Sequence, residues 1–297
     1  MLRVGLERLF VIECLDLFSY YSTPCDRKAK EIKVPLNLRG VKVPAGLSAP
    51  HWLAICWNKG GLVILEVVVA QAFGTNCWIF APSKNSECFI VDPGITAPSI
   101  VGAVSEVLRR HGLKPIATLI THGHLDHTFS VLPFSKEYGV PTYIQSRDRR
   151  LLRNPYLALD QGGESAAIMA RLGITIFEEP EDLRELEGGE RFSLAGFEIE
   201  TIHAPGHTQG SAMFIVDNEY LISGDVLFNN GIGRTDLPTG SAAMMAETLI
   251  TKVLTLDDGL NVLPGHGSVT TIGRERKLSP YLQESRLESM KKGGGRG

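Results

Sequence analysis

Apolar residues along this chain fall into short runs of about strand length, and most runs end on glycine, proline, aspartate or histidine. "LEVVVAQAF" (65–73) and "NCWIFAP" (76–82) are rich in β-branched and aromatic residues and predict strands. "SECFIVDPG" (86–94) predicts a strand stopped by Pro-Gly, and "IATLITH" (116–122) a short buried strand running into histidine. Between them, "APSIVGAVSEVLRRHG" (97–112) has helical periodicity. Pro98 suits its first turn, Arg109, Arg110 and His111 suit the negative end of its dipole, and Gly112 its stop. Further on, "FEIETIHAPGHT", "SAMFIVDN", "EYLISGD" and "LNVLPGHG" repeat the theme of a strand followed by a polar loop, with a hairpin turn at Asp217-Asn218-Glu219. Helices are expected near 146–172 and 241–258, and the tail "KKGGGRG" is expected to be disordered. The class is therefore mixed α/β (α+β), with chemistry presented by loops at strand ends.

Residues 1–62 lack this regularity and read as an N-terminal extension outside the main domain, which spans 63–290. A secretory signal or transit peptide fits poorly, because Glu7, Glu13 and Asp16 interrupt the apolar part.

The net charge of −3 gives no electrostatic reason to expect nucleic acid or an anionic membrane as partner. No apolar run approaches the roughly 18–20 residues that cross a bilayer. The five cysteines (Cys14, Cys25, Cys56, Cys77 and Cys88) form no C-x-x-C pair, which predicts free thiols and a cytoplasmic setting. The oligomeric state is not legible.

The candidate chemistry is concentrated in histidines. "THGHLDH" places His122, His124, Asp126 and His127 in one loop, with Gly123 allowing a tight backbone. "APGHTQGS" adds His207, "SGD" adds Asp225 and "PGHG" adds His266. Imidazole and carboxylate together suit zinc, iron or manganese rather than calcium or magnesium. Seven potential ligands exceed the three protein ligands a single catalytic ion usually takes, so two divalent ions are expected. We assign His122, His124 and His207 to a first metal and Asp126, His127 and His266 to a second, with Asp225 bridging. Asp92 is expected to orient backbone or a ligand histidine, or to shape a turn. His203 is read as packed or supporting, His111 as a helix-end residue, His51 as part of the extension and "RDRRLLR" (147–153) as a solvated helix face.

Those four motifs, in that order, resemble the metallo-β-lactamase superfamily across residues 63–285. The resemblance implies an αββα sandwich with a dinuclear site at one edge. "GDVLFNNGIGRTDLPTGS" and "PGHGSVTTIGRERKLSPYL" further resemble the short bacterial glyoxalase II-like (hydroxyacylglutathione hydrolase-like) branch. That implies hydrolysis of a small thioester such as S-D-lactoylglutathione by a metal-bound hydroxide, with zinc the expected metal. Asp126 would be both ligand and catalytic residue, and Arg234 would bind substrate. The chain departs from the longer glyoxalase II enzymes. Only 31 residues follow His266, and Asp236 and Ser268 stand where those enzymes carry glutathione-gripping tyrosines. The alternative is a mononuclear iron persulfide dioxygenase of the same superfamily, using His122, His207 and Asp225. A non-catalytic metal-binding scaffold is the reading outside enzymology.

Overall fold

The structure is a computed structural model and describes residues 52–58, 61–95, 100–159 and 177–292. Its first sheet runs β1-β2-β3-β4-β5-β6-β7 in space. These strands are Trp52–Asn58, Gly61–Ala70, Thr75–Ala81, Glu87–Val91, Lys114–Leu119, Thr142–Gln145 and Leu183–Leu186. β1 to β4 pair antiparallel and β4 to β7 parallel. The second sheet runs β13-β12-β11-β10-β9-β8. It is built from β8 (Arg191–Leu194), β9 (Phe197–His203), β10 (Ala212–Val216), β11 (Tyr220–Gly224), β12 (Asn261–Pro264) and β13 (Thr270–Thr271).

Three apolar layers explain the sandwich. Phe80, Phe89, Phe197 and Phe214 fill the space between the sheets, with Phe80 stacked on Phe89 at 4.8 Å and Phe197 edge-on to both. Each contributes roughly 1.5–3 kcal/mol of burial. Helices α1 (Ile100–His111) and α3 (Val131–Tyr138) cover the outer face of the first sheet through Ile100, Val104, Val107 and Phe134. Helix α5 (Ala242–Thr251) covers the second through Met245, Ala246 and Leu249. The architecture is thus αββα, as expected. β3 shows why its sequence reads as one unbroken apolar run: Trp78 and Phe80 face the other sheet while Cys77, Ile79 and Ala81 face the helical layer. Cys77 and Cys88 are free and buried, and burial pushes the Cys88 thiol up to about 12, which keeps it unreactive.

Several expectations shift in detail. The boundary drawn after residue 62 falls within a β-hairpin, because Trp52–Asn58 pairs along Gly61–Ala70 as the edge of the first sheet. The rest of the extension, with His51, lies outside the described residues, as do Pro98 and 160–176. The helix expected near 146–172 begins as a 3-10 turn (Ser146–Asp148) and continues as α4 (Arg149–Arg153), which stops at Asn154-Pro155. Proline disfavours helical geometry in the residue before it, which sets that end. The hairpin at Asp217-Asn218 has positive φ at both residues (51° and 53°), the geometry of a type I′ turn. At the C-terminal end, α6 (Ile272–Leu278) leads to α7 (Glu284–Lys291), so Lys291, read as the start of a loose tail, ends a helix; 293–297 lie outside the described residues. Among the described residues no helix is long and apolar enough to cross a membrane.

Candidate metal centre

Four strand ends deliver the candidate ligands to one place. The loop after β5 carries His122 and His124, and turns into the one-turn helix α2 (Leu125–Thr128) with Asp126 and His127. The loops after β9, β11 and β12 carry His207, Asp225 and His266. A bridge between Thr75 and His266 ties the start of β3 to the last of these loops. Asn76 reinforces it, its backbone NH donating to Gly265 O at 2.7 Å and its Nδ2 to Pro264 O at 3.0 Å.

The seven residues converge. His122, His124 and His207 form one group able to hold a metal ion, and Asp126, His127 and His266 another, with ligand atoms within 4.8 Å of one another in each. These are the two trios expected from the sequence. Asp225 lies between them. Its Oδ2 is 3.4 Å from His207 Nε2 and 3.5 Å from His266 Nε2, and its Oδ1 is 3.4 Å from His127 Nε2. It also completes a third group with His122 and His127.

Hydrogen bonds from outside the cluster decide which ring nitrogen faces in. His207 Nδ1 donates to the Arg234 carbonyl at 2.7 Å, and His127 Nδ1 to Asp92 Oδ2 at 2.9 Å. The Thr121 hydroxyl donates to Asp92 Oδ2 at 2.6 Å, so its oxygen is left to accept from His122 Nδ1 at 3.1 Å. Each Nε2 is thereby turned inward, the arrangement that outer partners impose on metal-binding histidines. Asp92 thus accepts from both the Thr121 backbone NH, at 2.9 Å, and the candidate ligand His127. Two Nε2–Nε2 pairs face each other closely, His122 with His207 at 3.1 Å and His127 with His266 at 3.2 Å.

The donor set fits divalent cations. His124 Nε2 and Asp225 Oδ1 are buried without a hydrogen-bond partner, and an unpartnered buried polar atom is costly unless something binds it. The two trios differ electrostatically. Burial and neighbouring imidazoles hold His122 well below its usual range, and burial together with His207 brings His124 down to about 3. Burial alone would also depress His127, but Asp126, Asp225 and Asp92 overcome it and raise the ring to about 9. Burial likewise opposes His266, yet hydrogen bonds and charge from Asp126 and Asp225 raise it to about 11. The two carboxylates respond in kind. Burial acts to raise both, but the facing imidazoles hold Asp225 down at about 2 and Asp126 well below the usual carboxylate range. The negative charge that stabilises these imidazolium protons is the charge a divalent cation would neutralise.

Other candidates fall outside the cluster. Arg234 forms a two-pronged ion pair with Asp236 at 2.7 and 2.8 Å, so a substrate carboxylate would have to exchange with that partner. In the basic run, Arg149 and Arg153 pair with Glu179, and Arg150 donates to Gln209 at 2.8 Å, consistent with a solvated face. His203 is bound to the Gln209 carbonyl at 2.9 Å, a supporting contact. His111 ends its helix but is also buried, 2.6 Å from the buried Glu66. The sequence reading missed Thr75, whose hydroxyl donates to Asp126 Oδ2 at 3.2 Å. It also missed Asp148, a buried carboxylate inside the run taken as a solvated face. Burial raises the Asp148 pKa, against the pull of donors from Thr208, Gly123 and Gly210.

The chain belongs to the metallo-β-lactamase superfamily, whose profile matches residues 70–266. The fold and the His/Asp groups define a metal-dependent hydrolase of that superfamily. Among its relatives, the uncharacterized protein Rv2581c of Mycobacterium tuberculosis is 39 % identical over 72 % of this chain and 95 % of its own length. The hydroxyacylglutathione hydrolase GloC of Haemophilus influenzae is 34 % identical over 73 % of this chain and 97 % of its own. Of solved structures, the BLEG-1 B3 metallo-β-lactamase is similar at TM-score 0.65 and 30 % identity, covering 74 % of this chain and 99 % of that one. TTHA1623 in a di-iron-bound form is similar at TM-score 0.57 and 29 % identity, covering 73 % and 99 %.

Proposed function

We propose that the protein hydrolyses a small thioester, S-D-lactoylglutathione or a related hydroxyacylglutathione, at a pair of divalent metal ions, with zinc the expected metal. The observation that carries the reading is Asp225, placed within 3.5 Å of Nε2 atoms from both trios. His122, His124 and His207 would hold one ion, and Asp126, His127 and His266 the other, with Asp225 shared between them. Bound ions supply acidity to water, lowering its pKa from 15.7 towards about 7. The Asp126 carboxylate, fixed by the Thr75 hydroxyl, is the group placed to accept a hydrogen bond from the attacking water and aim it at the acyl carbon. A C–O bond forms, the C–S bond breaks and the sulfur leaves with the electron pair. A thiol pKa near 8.5 lets it depart as thiolate without a proton donor, whereas the amide nitrogen of a β-lactam requires protonation.

The likeness to GloC supports this substrate class, and the di-iron form of TTHA1623 supports a pair of cations. The net charge of −3 favours a small-molecule substrate over nucleic acid or an anionic membrane, and a cytoplasmic setting completes the proposal. A one-iron dioxygenase would leave Asp126, His127 and His266 gathered without a cation to hold. The test is a side-by-side assay of the zinc-loaded and iron-loaded protein, with S-D-lactoylglutathione, with a β-lactam, and for oxygen uptake with glutathione persulfide. Thioester cleavage above the other two activities is the expected result. Oxygen uptake with one iron per chain, or β-lactam turnover alone, would overturn the proposal.

A further inference from the structure

Asp148 sits at the end of the 3-10 turn that follows β6 and touches none of the seven candidate ligands through hydrogen bonds. It is 1 % exposed, and both carboxylate oxygens are occupied. Oδ2 accepts the Gly123 NH at 2.8 Å and the Thr208 hydroxyl at 2.6 Å, and Oδ1 accepts the Gly210 NH at 2.7 Å. Gly123 lies between His122 and His124, Thr208 directly follows His207, and Gly210 lies three residues past it. One carboxylate therefore grips two loops 85 residues apart, at points adjacent to every member of the three-histidine trio. The remaining trio has no direct contact of this kind with Asp148.

Both glycines are shaped by this contact. A Cβ on Gly210 would lie 2.6 Å from Asp148 Cγ and backbone N, and one on Gly123 would lie 2.7 Å from Leu151 Cβ and 2.9 Å from the Asp148 carbonyl oxygen. Neither glycine has positive φ, so space against the 148–151 segment, rather than a turn, is what excludes a side chain. The Thr208 hydroxyl is held in turn by Ser211 Oγ at 2.7 Å, whose oxygen also accepts the Thr208 NH at 3.0 Å.

We propose that Asp148 is a positioning residue for the three-histidine half of the metal centre: its carboxylate sets the spacing between the His122/His124 loop and the His207 loop, and so the affinity of that half for a divalent cation. The inference rests on the metal-site reading but not on the substrate, so its test needs no turnover. Asparagine at 148 keeps the shape but must turn an NH2 towards one of three donors, which breaks at least one contact. Outer partners of metal ligands are typically worth about 10–100-fold in metal affinity.

The experiment is zinc competition against a chromophoric chelator on the full-length metal-free protein, with the cobalt(II) spectrum reporting each half separately. Asp148→Asn is expected to weaken the all-nitrogen half by about 10–100-fold and leave the carboxylate-containing half at wild-type affinity. Thr208→Val removes one donor while keeping the carboxylate, and serves if Asp148→Asn fails to fold; a smaller loss confined to the same half is expected. Equal weakening of both halves, the mark of a general packing defect, would overturn the proposal. So would two unchanged affinities.

Discussion

The two halves of the metal centre are built from neighbouring residues yet prepared differently for a cation. His122, His124 and His207 are buried among one another, and burial keeps His122 and His124 neutral far below neutral pH. A cation entering there meets free lone pairs. His127 and His266 face Asp126 and Asp225, and those carboxylates hold protons on them to about 9 and 11. A cation entering there has to displace protons, and is repaid by two negative charges. The comparison teaches that a site proposed to hold two ions need not be prepared symmetrically for them. One half is organised by geometry and the other by charge, and Asp225 joins them.

The largest expected effect is common to both halves. Stripping the metals with a chelator should abolish thioester hydrolysis, a loss on the order of 10³-fold or more, because metal polarisation is worth several kcal/mol in the transition state. Zinc should restore it, and turnover by the stripped protein would break the comparison at its root. Next is the proton count. On titrating zinc into the metal-free protein at pH 7, filling the carboxylate half should release roughly one to two protons and filling the histidine half fewer, with none from His122 and His124. Equal release from both would erase the distinction. The sign with pH follows. His127 and His266 titrate above 7, so falling pH strengthens the competing protons and empties the carboxylate half first, while His124, near 3, keeps the other half filled to lower pH. Metal content after dialysis across pH 8 to 4 checks this order.

Asp92→Asn is the counterpart of the Asp148 variant. It replaces one of the two oxygens that accept from the Thr121 NH, the Thr121 hydroxyl and His127 Nδ1 with an NH2, so at least one of these contacts is lost, and it should weaken the carboxylate half by about 10–100-fold, with a lesser effect relayed to His122 through Thr121. Site-resolved cobalt spectra would show whether the two aspartates dissociate in this way. The smallest effect belongs to Arg234→Met. Its exposed pair with Asp236 contributes less than about 1 kcal/mol, so thermal stability should hardly move, and any change should fall on KM rather than kcat.

The sequence exposes the seven candidate ligands because five of them (His122, His124, His207, Asp225 and His266) stand next to glycine in loops that follow strands, and Asp126 and His127 share the first of those loops with His122 and His124. It exposes β3, β4, β10 and β11 because both faces of each are buried, which makes their runs apolar throughout. It hides β7 (LREL) and β8 (RFSL), which lie at sheet edges, where four residues half open to solvent carry charge instead of a hydrophobic signature. It also hides Asp148 and Thr75. Asp148 reaches across 25 and 60 residues to Gly123 and Thr208, and Thr75 across 51 to Asp126. Local pattern cannot record such contacts. The one trace of Asp148 in the sequence is Gly123 beside His122, read as allowing a tight backbone when what it provides is room against the 148–151 segment.

The most direct test of the shared centre is the metal content of the purified protein and of Asp225→Ala, measured together with S-D-lactoylglutathione hydrolysis. Two divalent ions per chain in the wild type are expected, with loss of at least one ion and most of the activity in the variant. Two ions and undiminished turnover in Asp225→Ala would contradict the account.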